Sequence, residues 1–444
     1  MFNELLEILT FLNRNDNDVN ILQNQILQIE WLLKRGLKNS CEKQIKKLKP
    51  QTQKTQCFDI LIKLIQMQID LTHHQHKKDA LDELRQYNEE LLEAYQHQYL
   101  FNILSAKRNE ILVLKRTSYL RLEAEQLKEV QLITAWLQKL QSEKVTPHTP
   151  SVIHILFQST ISLCANMSFD IKLCHASCEK LKQLWKENVE LIPIHSNLFL
   201  EGANTTFYQS FAVNQLNEVE DNLNYYKPLA KEHLKHENQK NTWEIIEFNT
   251  KLKLGHKKAD YKMVADIIEQ KATAILKITQ NTLSASDQLS IITSICISYF
   301  VLEKYKEADS LMIDVKELNR MVKREDVYYF CLIFHLIIIY EMKDWYRLST
   351  AADSAYHQLY AKKKIRPFEK ELLKFLKQLP TLNFKKNNEE QIERFIRHME
   401  VYKDDPVKKL YFLYFNYYNW FQSKLHQTDY QTYVKGLYQK MNPV

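Results

Sequence analysis

Residues 284–315 read SASDQLSIITSICISYFVLEKYKEADSLMIDV, and this stretch decides the fold. Ile292, Ile295, Cys296 and Tyr299 fall at i, i+3, i+4 and i+7, the spacing of one face of an α-helix. Ser284, Ser286 and Asp287 ahead of them supply polar side chains suited to a helix N-cap. A short break at Glu303-Lys304 is followed by a second face of Tyr305, Ala308, Met312 and Val315, with the small Ala308 where two helices would approach closely. The unit reads as a helix-turn-helix hairpin.

The offsets 0, +3, +7 and +10 of that second helix recur along the chain. Working backward, they are met by Tyr261, Val264, Ile268 and Lys271, by Leu216, Val219, Leu223 and Tyr226, and by Ile171, Cys174, Cys178 and Leu181. Nearer the start they are met by Leu127, Val130, Thr134 and Leu137, by Lys77, Ala80, Leu84 and Tyr87, and by Lys38, Cys41, Ile45 and Leu48. Working forward, Trp345, Leu348, Ala352 and Ala355 fit. Successive starting positions lie 39, 50, 44, 45, 45, 44 and 40 residues apart. Near-even spacing of this kind is the mark of a helical repeat, in which each pair buries its apolar face against its neighbours.

Composition supports helices. The 444 residues include 4 glycines and 9 prolines, where average usage would give roughly 30 glycines. All-β and Rossmann-type folds are disfavoured by that scarcity, and a Gly-rich phosphate loop is excluded. The net charge of +7 is a mild excess, and charged residues are spread along the chain. The seven cysteines are scattered and odd in number, which fits reduced thiols in a cytosolic protein better than a disulfide framework. Residues 1–4 (Met-Phe-Asn-Glu) show no basic signal-peptide start. The longest apolar run, residues 328–340, is too short to span a membrane, contains His335, and reads as a buried core helix.

The hairpin at 292–315 resembles the tetratricopeptide repeat (TPR): Ile292, Ile295, Cys296, Tyr299, Ala308, Met312 and Val315 stand at that family's large and small positions, and Lys304-Tyr305-Lys306-Glu307-Ala308 is similar to its turn. Lys34-Arg35-Gly36-Leu37 and Met342-Lys343-Asp344-Trp345 resemble the same turn. The period here is longer than the family's roughly 34 residues and nearer the 40–47 of HEAT and armadillo repeats. The resemblance implies an all-α fold, a right-handed α-solenoid of about eight antiparallel helix pairs over residues 1–388, closed by capping helices over residues 389–444 that continue the stack. The whole chain also resembles a group of bacterial TPR-like proteins of similar size. That likeness carries no activity, cofactor or ligand, and it implies a helical segment upstream of residue 1.

Four clusters are candidates for chemistry or binding. Cys174, His175 and Cys178, with Cys164 and His154 upstream, hold thiolate and imidazole ligands that suit zinc. Yet both Cys174 and Cys178 stand at repeat offsets that other units fill with core residues, so packing is the expectation. His73, His74 and His76 fall at a turn, where a solvated role is expected. Basic runs at Lys43, Lys46, Lys47 and Lys49, at Lys251, Lys253, Lys257, Lys258 and Lys262, and at Lys362, Lys363, Lys364 and Arg366 would serve a nucleic-acid surface, but carboxylates are interleaved and no aromatic platform lies beside them. Residues 411–421 concentrate eight aromatics: Tyr411, Phe412, Tyr414, Phe415, Tyr417, Tyr418, Trp420 and Phe421. They suit a last buried helix with one further face for a partner or a second copy. No residue stands out as catalytic, cofactor-binding or metal-ligating. The expected function is a non-enzymatic cytoplasmic scaffold that binds a protein or peptide on its concave surface. The alternatives are a nucleic-acid-binding repeat and a ligand-sensing regulator.

Overall fold

The computed structural model describes residues 18–73, 79–117, 124–322, 325–361, 367–378, 392–397, 400 and 414–441. Among them every regular element is a helix and no strand occurs. They fall into two compact units, one of residues up to Trp243 and one of residues from Glu244.

The first unit holds α1 (Asp18–Lys34), α2 (Lys38–Thr55), α3 (Phe58–His73), α4 (Ala80–Thr117), α5 (Ala124–Lys144), α6 (Ser151–Met167), α7 (Ile171–Glu187), α8 (Ser196–Ala212) and α9 (Leu216–His233). From α1 to α9 each packs on the next, and α1 also packs on α3, α4 on α6, and α6 on α8. Helix α10 (Glu237–Lys257) contains the boundary. The second unit continues with α11 (Tyr261–Thr282), α12 (Ala285–Val301), α13 (Tyr305–Val322), α14 (Glu325–Glu341), α15 (Trp345–Ala361), α16 (Pro367–Gln378), α17 (Tyr417–Leu425) and α18 (Tyr430–Met441). From α11 to α16 each helix packs on the next, α14 packs also on α16, and α17 packs on α18.

Six of the eight predicted starting positions, Lys38, Ile171, Leu216, Tyr261, Tyr305 and Trp345, are the first residues of helices. The residues at +3 and +7 from them are buried in every case, from Cys41 and Ile45 to Leu348 and Ala352. The other two positions differ. Lys77 lies outside the described residues, and α4, which follows it, runs for 38 residues. Leu127 is the fourth residue of α5. Residues 328–340 lie within α14, whose Phe330 through Tyr340 are all buried. No described helix is long and apolar enough to cross a membrane.

One turn precedes all six of those starts. Two residues before each start the backbone is left-handed, at Gly36, Phe169, Asn214, Ala259, Glu303 and Lys343, with φ between 52° and 73°. At Glu303 its N–H donates to the Phe300 carbonyl, and the next N–H, of Lys304, reaches back to the Tyr299 carbonyl. The same pair of bonds recurs at Lys343 and Asp344, Ala259 and Asp260, Asn214 and Gln215, Phe169 and Asp170, and Gly36 and Leu37. This is the Schellman ending, which satisfies carbonyls that the last turn of a helix leaves open. The following residue opens the next helix, and the side chains of Asp170, Asp260 and Asp344 cap it by accepting from the N–H of Leu173, Met263 and Arg347. Ser284 caps α12 by accepting from the N–H of Asp287 and donates to its carboxylate at 2.7 Å.

Small groups let the helices on either side of such a turn approach. The Cys41 thiol donates to the Ile29 carbonyl, Cys174 to Ser162, and Cys296 to Ala308, each bond spanning twelve residues. Two of the four glycines lie at such contacts: a Cβ on Gly202 would come 2.8 Å from Leu181 Cδ2, and one on Gly255 would come 2.7 Å from Val264 Cγ2.

Five of the six left-handed residues carry side chains, a conformation that costs about 1 kcal/mol where glycine would not. Phe169 is 71% exposed, so its ring contributes little burial to offset that strain. Phe169→Gly is expected to raise stability by about 1 kcal/mol in urea unfolding. An unchanged or lower midpoint would show that the turn is not strained.

Candidate partner-binding face

The 38-residue α4 is apolar on two opposite sides. Ala94, Leu100, Leu104, Arg108 and Ile111 are buried, and the helix packs with them against α3 and α6. At 100° per residue, Leu81, Leu92, Tyr95, Tyr99, Ala106 and Val113 fall within about 60° of arc on the other side. All six are exposed, Leu92 by 64% and Tyr99 by 58%. Leu92, Tyr99, Ala106 and Val113 recur at intervals of seven, with Tyr95 three residues after Leu92. That is the spacing with which a helix meets a second helix.

Polar contacts fix the edges of this face. Gln66 of α3 donates to the Tyr95 hydroxyl at 2.8 Å. Lys144, the last residue of α5, places its ammonium 5.8 Å from the centre of the Tyr99 ring. Lys107, paired with Glu110 at 2.7 Å, lies 6.0 Å from the Trp136 ring of α5. Aromatic side chains with a polar tip lose few rotamers when a partner covers them, which suits them to binding surfaces.

The residues singled out from sequence are placed differently. Cys174 and Cys178 face the core with Cys164, and Cys174 bonds the Ser162 carbonyl. Burial pushes the Cys164 thiol up to about 11. His175 points away from these thiols and is exposed, near Glu218. His154 is half-buried on α6. The cysteines and His175 are therefore not brought together as one ligand set. His73 ends α3 and is exposed, whereas His74 and His76 lie outside the described residues.

The basic runs are interleaved with carboxylates. Lys49 pairs with Glu90 at 2.5 Å and lies over the Tyr87 ring, while Lys43, Lys46 and Lys47 are exposed. Lys251 pairs with Glu247 at 2.6 Å. Lys251 and Lys262 line a shallow recess of about 340 Å³ together with Asp260 and Asp266. Lys362, Lys363, Lys364 and Arg366 lie outside the described residues.

In the aromatic segment, Phe415, Tyr417, Trp420 and Phe421 are buried. Phe415 sits 4.9 Å from the Phe334 ring, Trp420 5.4 Å from Tyr340, and Phe421 4.8 Å from Phe395. Trp420 also donates to Glu341 at 2.5 Å, and Lys424 pairs with the same carboxylate at 2.6 Å. These residues close the second unit, while Tyr411 and Phe412 lie outside the described residues. Beside them a cleft of about 510 Å³ is lined by Glu303, Tyr305, Glu341, Lys343, Lys424 and Asp429.

A partly buried ionic cluster in the second unit escaped sequence reading. Asp309 of α13 accepts from His335 Nε2 of α14 at 2.7 Å and from both terminal nitrogens of Arg347 of α15 at 2.7 and 2.9 Å. Lys316 Nζ donates to the other ring nitrogen of His335 at 2.5 Å. Burial, then the Lys316 charge, lowers His335 to about 4, so its ring is neutral at pH 7. Burial alone would raise Asp309, but its bonds from Arg347 and His335 outweigh that and hold the carboxyl below the usual range. The cluster fastens three helices together. A second enclosed imidazole, His256 of α10, bonds Ser298 of α12 at 2.8 Å and is lowered by burial to about 4.

No protein-family model matches this chain, and no curated protein and no solved structure matches it.

Two measurements probe these groups. Asp309→Ala removes the carboxylate that Arg347 and His335 bond and is expected to cost about 2 kcal/mol in urea unfolding. A loss near zero would mean that the cluster is not a fastener. His256 and His335 stay neutral when folded but take a proton in the unfolded chain below about pH 6.5. Stability is therefore expected to be complete above that pH and to fall as the pH drops towards 4. His256→Gln should flatten the fall by about 3 kcal/mol, and a profile unchanged by the substitution would contradict the assignment.

Proposed function

We propose that this chain is a non-enzymatic helical-repeat scaffold that binds a protein partner, and that the partner lays an amphipathic helix along α4. The observation that carries the reading is the two-sided α4: one apolar face is buried, and the opposite one presents Leu92, Tyr95, Tyr99 and Val113 to solvent at helix-pairing intervals. A surface helix covered on one side only has a polar outer face. Exposed apolar surface arranged in a continuous stripe marks an interaction site.

The wider architecture in this proposal is a right-handed, TPR-like solenoid of antiparallel hairpins. Three observations support it: the six repeated turns, the thiol–carbonyl bonds that join residues twelve apart across three of them, and the packing of alternate helices α4, α6 and α8. In such a stack the first helices of the pairs line a concave surface open to extended partners. The interleaved carboxylates at the described basic runs favour a protein partner over nucleic acid. A reducing, cytoplasmic setting fits the seven buried thiols.

The test is a native pull-down from lysate with the wild-type chain and with the double variant Leu92→Glu/Tyr99→Glu, both checked by circular dichroism. Both sites are more than half exposed, so the helix content should not change. The wild type is expected to retain a protein that the variant loses. Equal capture by both chains would remove α4 as the binding face, and no captured protein from the wild type would remove the scaffold reading.

A further inference from the structure

The geometry points to a binding site for a first-row divalent transition cation, of the zinc class, formed by His175 and Glu179 of α7 with Glu218 of α9. His175 and Glu179 stand at i and i+4, so both project from one side of α7. Glu218, in the first turn of α9, faces them. One ligand atom from each of the three lies within 4.8 Å of the other two, and His175 Nδ1 is 3.7 Å from Glu218 Oε1. Bonds of about 2.0 Å to a tetrahedral ion place ligand atoms about 3.3 Å apart. The set therefore needs a contraction of up to about 1.5 Å. Exposed side chains supply it by small rotations: those of His175 and Glu179 are 47% and 46% exposed.

A second observation points to a missing cation. Glu218 Oε1 is shielded from solvent and has no hydrogen-bond donor. A shielded carboxylate oxygen without a donor is costly, and a cation held between it and the imidazole would satisfy it. The amide nitrogen of buried Gln209 lies 3.5 Å from the same His175 Nδ1, a long contact that an ion on that nitrogen displaces. Lys182 pairs with Glu179 Oε1 at 2.7 Å and leaves the other oxygen of that carboxylate available.

The donor chemistry defines the class of ion. One imidazole and two carboxylates suit zinc and its first-row neighbours, whereas magnesium and calcium prefer oxygen alone. The neighbouring thiols take no part, because Cys174 and Cys178 are buried on the other side of α7. An ion bound here would tie α7 to α9 and stabilise the folded chain by mass action.

The experiment uses the full chain, stripped with chelator, and Zn²⁺ alone as the probe. Calorimetric titration is expected to show one saturable equivalent. His175→Ala and Glu218→Gln should each weaken it about tenfold or more, while Cys174→Ala leaves it unchanged. All three variants are checked for native helix content. With Co²⁺ in place of zinc, the visible spectrum should lack a thiolate charge-transfer band. Absence of saturable binding, binding indifferent to both His175→Ala and Glu218→Gln, or a thiolate band would each overturn the site.

Discussion

Two backbone hydrogen bonds and one left-handed residue set the geometry on which this molecule depends. Ahead of each of the six predicted helix starts, and also at Gln56 ahead of α3, a helix ends with the N–H of its left-handed residue bonded three residues back and the next N–H bonded five residues back. The following helix begins two residues after the left-handed one. That fixed interval puts the apolar positions of the second helix in register with the first. It is why Cys41, Cys174, Val219, Val264, Ala308 and Leu348 all stand at +3 and are all buried. In the proposed repeat a helix pair cannot bury its apolar side alone, so the turn would specify the pair and neighbouring pairs would complete the core.

Against this regular frame, the departures carry the functional argument. Helix α4 does not follow the two-helix rhythm and is apolar on its outer as well as its inner side. The outer side leaves Leu92 and Tyr99 more than half exposed and is the face proposed for a partner. The ionic cluster around Asp309 and the ring pair His256–Ser298 are departures of another kind. They place polar groups between helices of the second unit and satisfy them there, so they contribute definition to the packing more than raw stability.

Much of the helix placement was legible in the sequence, because the apolar spacing of a helix face survives in the residues it buries. The helix starts at Lys38, Ile171, Leu216, Tyr261, Tyr305 and Trp345 followed from apolar spacing alone. The turns were less legible. Scarce glycine implied a lack of tight turns, yet Phe169, Asn214, Ala259, Glu303 and Lys343 adopt the conformation that glycine favours. Packing on both sides of each turn outweighs a local preference of about 1 kcal/mol. The second helix expected to begin at Lys77 has its start outside the described residues, and α4, which follows, is apolar on two faces and so fits several registers equally well. The candidate ion site was half legible. His175 was singled out, but with the thiols beside it. Its other companions are Glu179, one turn along α7, and Glu218, on a different helix, and only the fold brings these three together.

The repeat itself is most directly tested by removing one period. Tyr261 and Tyr305 open equivalent helices, so deleting residues 261–304 joins Asp260 to Tyr305 in register. A deletion of half a period, residues 283–304, joins α11 directly to α13 and serves as the control. The in-register chain should remain helical, soluble and cooperative in thermal unfolding, while the half-period deletion should lose cooperativity. If the two deletions unfold alike, the turns do not define interchangeable modules and the repeat account is wrong.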